Sequence, residues 1–86
     1  KKPVEATQCY QQAITFYEYS QDEIRLAKVL ENLGIATNAL GDPSGAKTHY
    51  GRALPILERA YGLEHPAVAS ILENLGNTIR EQGDVL

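Results

Sequence analysis

Residues 24–42, IRLAKVLENLGIATNALGD, return at residues 66–84 as PAVASILENLGNTIREQGD, forty-two positions further along the chain. Ala27/Ala69, Leu30/Leu72, Glu31/Glu73, Asn32/Asn74, Leu33/Leu75, Gly34/Gly76, Gly41/Gly83 and Asp42/Asp84 are identical, eight matches in nineteen positions, where average residue usage gives about one. A period of this length means that each unit is one supersecondary hairpin unable to bury its own apolar face. Neighbouring units must therefore stack, and the product is a solenoid with an extended surface. Such surfaces bind more often than they catalyse.

The stretches between the two copies repeat as well. Ala6, Tyr10, Ala13 and Glu18 return forty residues later as Ala46, Tyr50, Ala53 and Glu58. The two-residue difference in period fits a shorter loop before the first ENLG copy (residues 19–23) than before the second (residues 61–66), since loops absorb length changes that helices do not. Two kinds of helix alternate.

The 86 residues make a single small domain, 1–86. Eight Lys and Arg stand against eleven Asp and Glu, so no basic strip is offered to nucleic acid or to an anionic membrane. No apolar run reaches the roughly eighteen residues that a membrane span needs, and KKPVEA has no apolar core of a secretory signal. One cysteine, Cys9, excludes an internal disulfide and suits a reducing compartment, with the cytoplasm as the expected location.

Four helices and no strand are predicted. The first spans about residues 4–19, with Ala6, Tyr10, Ala13, Ile14 and Tyr17 on one face. The second opens at Asp22, a suitable N-cap followed by acidic Glu23, and runs to about residue 40, where Gly41 stops it. Leu26, Leu30, Leu33, Gly34 and Thr37 share its packing face, and Gly34 removes a side chain where another backbone comes close. Asp42-Pro43 opens a third helix over 43–61. Its stripe is Ala46, Tyr50, Ala53, Leu54 and Leu57, and a bend is predicted at Pro55, which deletes one backbone bond and costs about 3 kcal/mol in a regular helix. Gly62 ends it. His65-Pro66 opens the fourth, over 66–82, which carries Val68, Ile71, Leu72, Leu75, Gly76 and Ile79 inward.

Leu30, the Leu33-Gly34 pair, Thr37 and the Gly41-Asp42 turn, followed by Ala46, Tyr50 and Ala53 on the next helix, resemble the tetratricopeptide repeat. The longer period, with LENLG, RALPILERAYG and EHPAVA, is similar to the 42-residue variety of kinesin light chains and of signalling proteins. Leu30 and Leu72 stand where that family usually has a large aromatic, and Thr37 where it has tyrosine, which implies looser packing there. The resemblance implies an all-α, right-handed α-solenoid fragment of antiparallel helix hairpins. In that frame the chain starts and stops in mid-repeat, and further repeats or a second copy are expected to stack on its ends. Tyr10, Phe16, Val68, Ile71 and Ile79 are the candidate end-stacking residues, in a heterologous contact that would give a homo-oligomer.

In this family the first helix of each repeat lines a concave groove, and the asparagine before Leu-Gly grips the backbone of an extended peptide. That role carries over to Asn32 and Asn74, each inside LENLG; an amide side chain both donates and accepts, so a ladder of them holds a peptide of any sequence. Helical spacing adds Lys28, Ile35 and Ala39 on the second helix, and Ser70, Asn77 and Glu81 on the fourth. Lys28 would pair an acidic side chain and Ile35 would give an apolar contact. The alternative is that these are polar residues on a solvated helix face.

Catalytic signatures are thin. His49 and His65 lie sixteen residues apart without HExxH or cysteine spacing, and Cys9 has no activating base in its vicinity of sequence. Gly41, Gly45 and Gly51 lack the GKT or GKS of a phosphate loop. Glu31 and Glu73 recur with the repeat and read as surface or groove charge. The reading is a non-enzymatic protein-interaction module with a protein or peptide partner and no cofactor, metal, nucleic acid or membrane. Its alternative is a self-assembly module whose inner face holds no ligand, and a third reading is the sensor segment of a larger nucleotide-switch protein.

Overall fold

The computed structural model describes residues 2–83, with side chains from Val4 onward; the repeat match at Asp84 lies outside them. The chain is all-α, with four helices: α1 (Lys2–Ser20), α2 (Glu23–Ala39), α3 (Pro43–Tyr61) and α4 (Pro66–Glu81). The starts are chemically specified. The carboxylates of Asp22 and Asp42 accept from the backbone N–H groups of Arg25 and Gly45 at 3.2 and 3.0 Å, satisfying amides that have no partner in the first turn. His65 caps α4 in the same way, Nδ1 accepting from the Ala67 N–H at 3.0 Å, while its ring stacks on Tyr61 at 4.1 Å. Gly62 closes α3 at φ +85°, a conformation that a side chain disfavours. The corresponding turn after α1 places Gln21 at φ +60° instead.

Consecutive helices pack antiparallel, and the molecule is a thin slab of 41 × 35 × 15 Å. Two layers result. In the outer layer α1 and α3 are tied by Arg52 Nη2 and Glu18 Oε2 at 2.8 Å. The inner layer holds α2 and α4.

The core between the layers is built from the predicted stripes: Leu26, Ala27, Leu30 and Leu33 of α2, Ala46, Tyr50, Ala53 and Leu57 of α3, Ile14 of α1, and Val68 and Ile71 of α4. Leu30 is fully buried although it stands where the family has a larger ring. Tyr50 is the wedge. Its ring lies against Gly34, where a built Cβ would sit 2.5 Å from Cε1, so only a glycine admits the ring at this depth. Beyond Gly34 the Tyr50 hydroxyl reaches toward α4 and its buried Thr78 side chain. One side chain thus joins three helices.

Three expectations for α4 need correction. Leu72, Gly76 and Ile79 do not face inward: Leu72 and Ile79 are 50% and 41% exposed, and a Cβ on Gly76 would meet nothing within 4 Å. The reason is helix phase, for α3 covers only the side of α4 that carries Val68, Ile71 and Thr78. For the same reason Val68 and Ile71, at 1% and 0% exposure, are core residues and not free to stack against another molecule. α3 runs as one helix through Pro55, which lies on its exposed side.

Candidate functional site: the inner wall of α2 and α4

α2 and α4 are stitched along one edge by hydrogen bonds between side chains. Glu31 Oε2 accepts from Ser70 Oγ at 2.8 Å and from Asn74 Nδ2 at 3.0 Å, and both contacts are partly buried. Two turns further along, Asn38 Nδ2 donates to Glu81 Oε1 at 2.7 Å. Glu31 and Asn38 are seven residues apart and share a helix face; so do Ser70, Asn74 and Glu81 at i, i+4 and i+11. The seam therefore follows from helical period alone. Hydrogen bonds to a charged carboxylate are the stronger kind, which makes Glu31 the main brace of the wall.

Next to this seam Lys28, Asn32 and Ile35 of α2 are exposed, Ile35 at 49%. On α4 the exposed neighbour is Asn77, whose Oδ1 accepts from Arg80 Nη2 at 3.1 Å. Ser70 and Asn74 are half-buried in the seam, whereas Glu81 is exposed although bonded. The two asparagines of LENLG are thus not equivalent in place. Asn32 faces solvent, and Asn74 spends one amide hydrogen on Glu31, keeping its carbonyl oxygen and its second hydrogen. Glu31 and Asn38 were missed as bracing residues. A signal for them exists in the sequence: Glu31 and Asn38 lie forty-three residues before Asn74 and Glu81, one more than the repeat.

Tyr50 lies beneath this wall. Burial, then the negative charges of Glu31 and Glu81, raise its pKa above 10.0, with the Thr78 hydrogen bond opposing them. His49, beside it on α3, is shifted below 6.5 by burial and by Arg52, with Asp42 acting the other way. Among the described residues no group of three or more His, Cys, Asp or Glu is placed to hold a metal ion. Cys9 is exposed. An open depression under the α1–α2 turn, lined by Tyr17, Asp22, Ile24, Leu26 and Ala60, belongs to the loop end of the slab and not to the inner wall. Phe16 is 62% exposed near that end, packed edge-on against Tyr17 at 5.5 Å. No helix among the described residues is long and apolar enough to cross a membrane.

Comparison with protein families completes the picture: the tetratricopeptide repeat model matches residues 25–85, spanning α2, α3 and α4. The chain belongs to the tetratricopeptide repeat family. Comparison with curated proteins and with solved structures gives no match. Tetratricopeptide repeats are non-enzymatic and generally serve as protein-interaction modules that bind protein partners. In this tetratricopeptide repeat protein, the matched residues take in most of α2 and the whole of α3 and α4.

Proposed function

We propose that the chain holds an extended segment of a partner protein along the inner wall of α2 and α4, and that its repeats are of the 42-residue, kinesin-light-chain-like variety. The second part rests on the spacing of the LENLG copies, Leu30 to Leu72. The first part rests on one observation: two inner helices are fixed side by side by Glu31, Ser70 and Asn74, with Asn32, Ile35, Lys28 and Asn77 left open next to the seam. A bound backbone would find a donor and an acceptor at Asn32 and again at Asn74. Glu31 supports that role by fixing the Asn74 amide before a ligand arrives, which lowers the ordering cost of binding. Ile35 adds an apolar contact, and Lys28 favours an acidic side chain on the ligand.

Two inner helices make a short groove, so affinity is modest. The test begins with peptides selected from a random library on the 86-residue chain. Asn32→Ala with Asn74→Ala is expected to weaken the selected peptide at least about tenfold in calorimetric titration, two lost hydrogen bonds at about 1 kcal/mol each. Unchanged affinity would remove the asparagine ladder.

A further inference from the structure

The two inner helices run in the same direction, because the bonds that join them advance together: Glu31 meets Ser70 and Asn74, and seven residues on Asn38 meets Glu81. The wall therefore has two distinct ends. Among the described residues the ion pairs are Arg25 with Asp22, Arg52 with Glu18 and Arg59 with Glu23. They leave Lys28 and Glu81, both exposed, without a partner of opposite charge. Lys28 stands one turn before Asn32 on α2, and Glu81 stands on α4 at the level of Asn38. Unmatched charges of opposite sign thus mark opposite ends of the wall.

The other charged groups nearby are committed or turned away. Glu31 is half-buried, its Oε2 accepting from Ser70 and Asn74. Glu73 and Arg80 each lie about 100° around α4 from the seam residue that follows them, on the flank away from α2, and offset one another in sign. Between the two free charges the wall offers Asn32 and the exposed Ile35. Lys28 and Asn38 are ten residues apart, about 15 Å along α2 at about 1.5 Å per residue. In an extended segment the side chains facing the wall recur at every second residue, and two such steps span about 13 Å. Three successive wall-facing side chains of a bound strand therefore fall at Lys28, over the Asn32 to Ile35 turn, and at Glu81, within the reach of long side chains.

We infer, on the groove reading above, that the segment held there is of mixed charge: an acidic side chain at Lys28, an apolar one against Ile35 and a basic one at Glu81, in the pattern acid-x-apolar-x-base. The reverse order fits the same wall when the segment runs the other way, since an asparagine both donates and accepts and so holds a backbone in either sense. The order of the two charges then sets the direction of the bound chain. A segment acidic or basic throughout matches one end of the wall and is repelled by the other, which excludes it.

Peptide selection from one random library, run at low ionic strength on the unaltered 86-residue chain, on Lys28→Glu and on Glu81→Lys, tests the pattern. The unaltered chain should enrich mixed-charge peptides, Lys28→Glu peptides with a base at both places, and Glu81→Lys peptides with an acid at both. In calorimetric titration, exchanging the base of a peptide selected on the unaltered chain for an acid should weaken it about fivefold, and the difference should shrink in about 0.5 M salt. Enrichment of the same charge pattern by all three proteins overturns the inference alone when Asn32→Ala with Asn74→Ala still weakens the shared peptide. No enrichment, or peptides indifferent to the asparagine replacements, overturns the groove reading and the charge pattern with it. Should circular dichroism show Glu81→Lys to be unfolded, Glu81→Gln, which keeps an acceptor for Asn38, decides in its place: its selected peptides should lose the preference for a base, and a retained preference overturns the inference.

Discussion

At the scale of single residues, Gly34 and Gly76 share one sequence context and have opposite surroundings. A methyl on Gly34 would be forced into the buried ring of Tyr50, and overpacking of that kind costs about 1–3 kcal/mol. A methyl on Gly76 meets nothing within 4 Å, so Gly76→Ala gains about 1 kcal/mol from helix propensity. Urea unfolding of Gly34→Ala and Gly76→Ala should therefore move the midpoint in opposite directions; a shift of the same sign in both would deny the Tyr50–Gly34 contact its role. Tyr50 gives a second residue-level check. Its folded pKa is raised above 10.0, so the unfolded chain loses the phenolic proton first as pH rises. Stability is fully kept below pH 10 and declines above it, and Tyr50→Phe should flatten that decline in thermal melts followed from pH 9 to 11. Gly34 was legible in the sequence because the apolar stripe and the repeat both pointed to it. Gly76 was not, since identical letters cannot say whether a neighbour is there to cover them.

At the scale of helices, caps and stops were readable from local chemistry: Asp22, Asp42 and His65 open α2, α3 and α4, and Gly62 closes α3. The side chains that join one helix to another were not, because a bond such as Glu31 to Asn74 depends on the relative rotation of two helices far apart in the chain. Glu31 is accordingly a bracing residue. Glu31→Ala leaves Ser70 and Asn74 without their acceptor, and about 1–3 kcal/mol of stability should be lost. Asn32→Ala, on an exposed position, should stay within about 0.5 kcal/mol of the unaltered chain. Equal losses from the two in denaturant unfolding would contradict the bracing role. Pro55 is the element-scale liability. It sits in the exposed interior of α3, where proline costs a helix about 3 kcal/mol. Pro55→Ala should therefore raise the melting temperature, and a fall would mean that the surrounding helix depends on the ring.

At the scale of the molecule, the repeat decides the architecture and the slab displays it: two inner helices on one layer, two outer helices on the other, and Tyr50 through the middle. The order of layers was readable from alternating LENLG and Ala-Tyr-Ala helices. Which apolar residues remained uncovered was not, and Val68 and Ile71 turned out to be core because helix phase directs them to α3. The proposed function rests, at this scale, on the inner wall. The most direct measurement is a two-dimensional amide NMR titration of the 86-residue chain with a library-selected peptide, followed at the backbone amides of Asn32, Ile35, Asn74 and Asn77 and at the side-chain amides of the three asparagines. The account predicts saturable shifts concentrated at those four residues, with those of Ile35 and Asn77 lost in the Asn32→Ala, Asn74→Ala variant. Shifts confined to α1, α3 or the turn at residues 19–23 would contradict it.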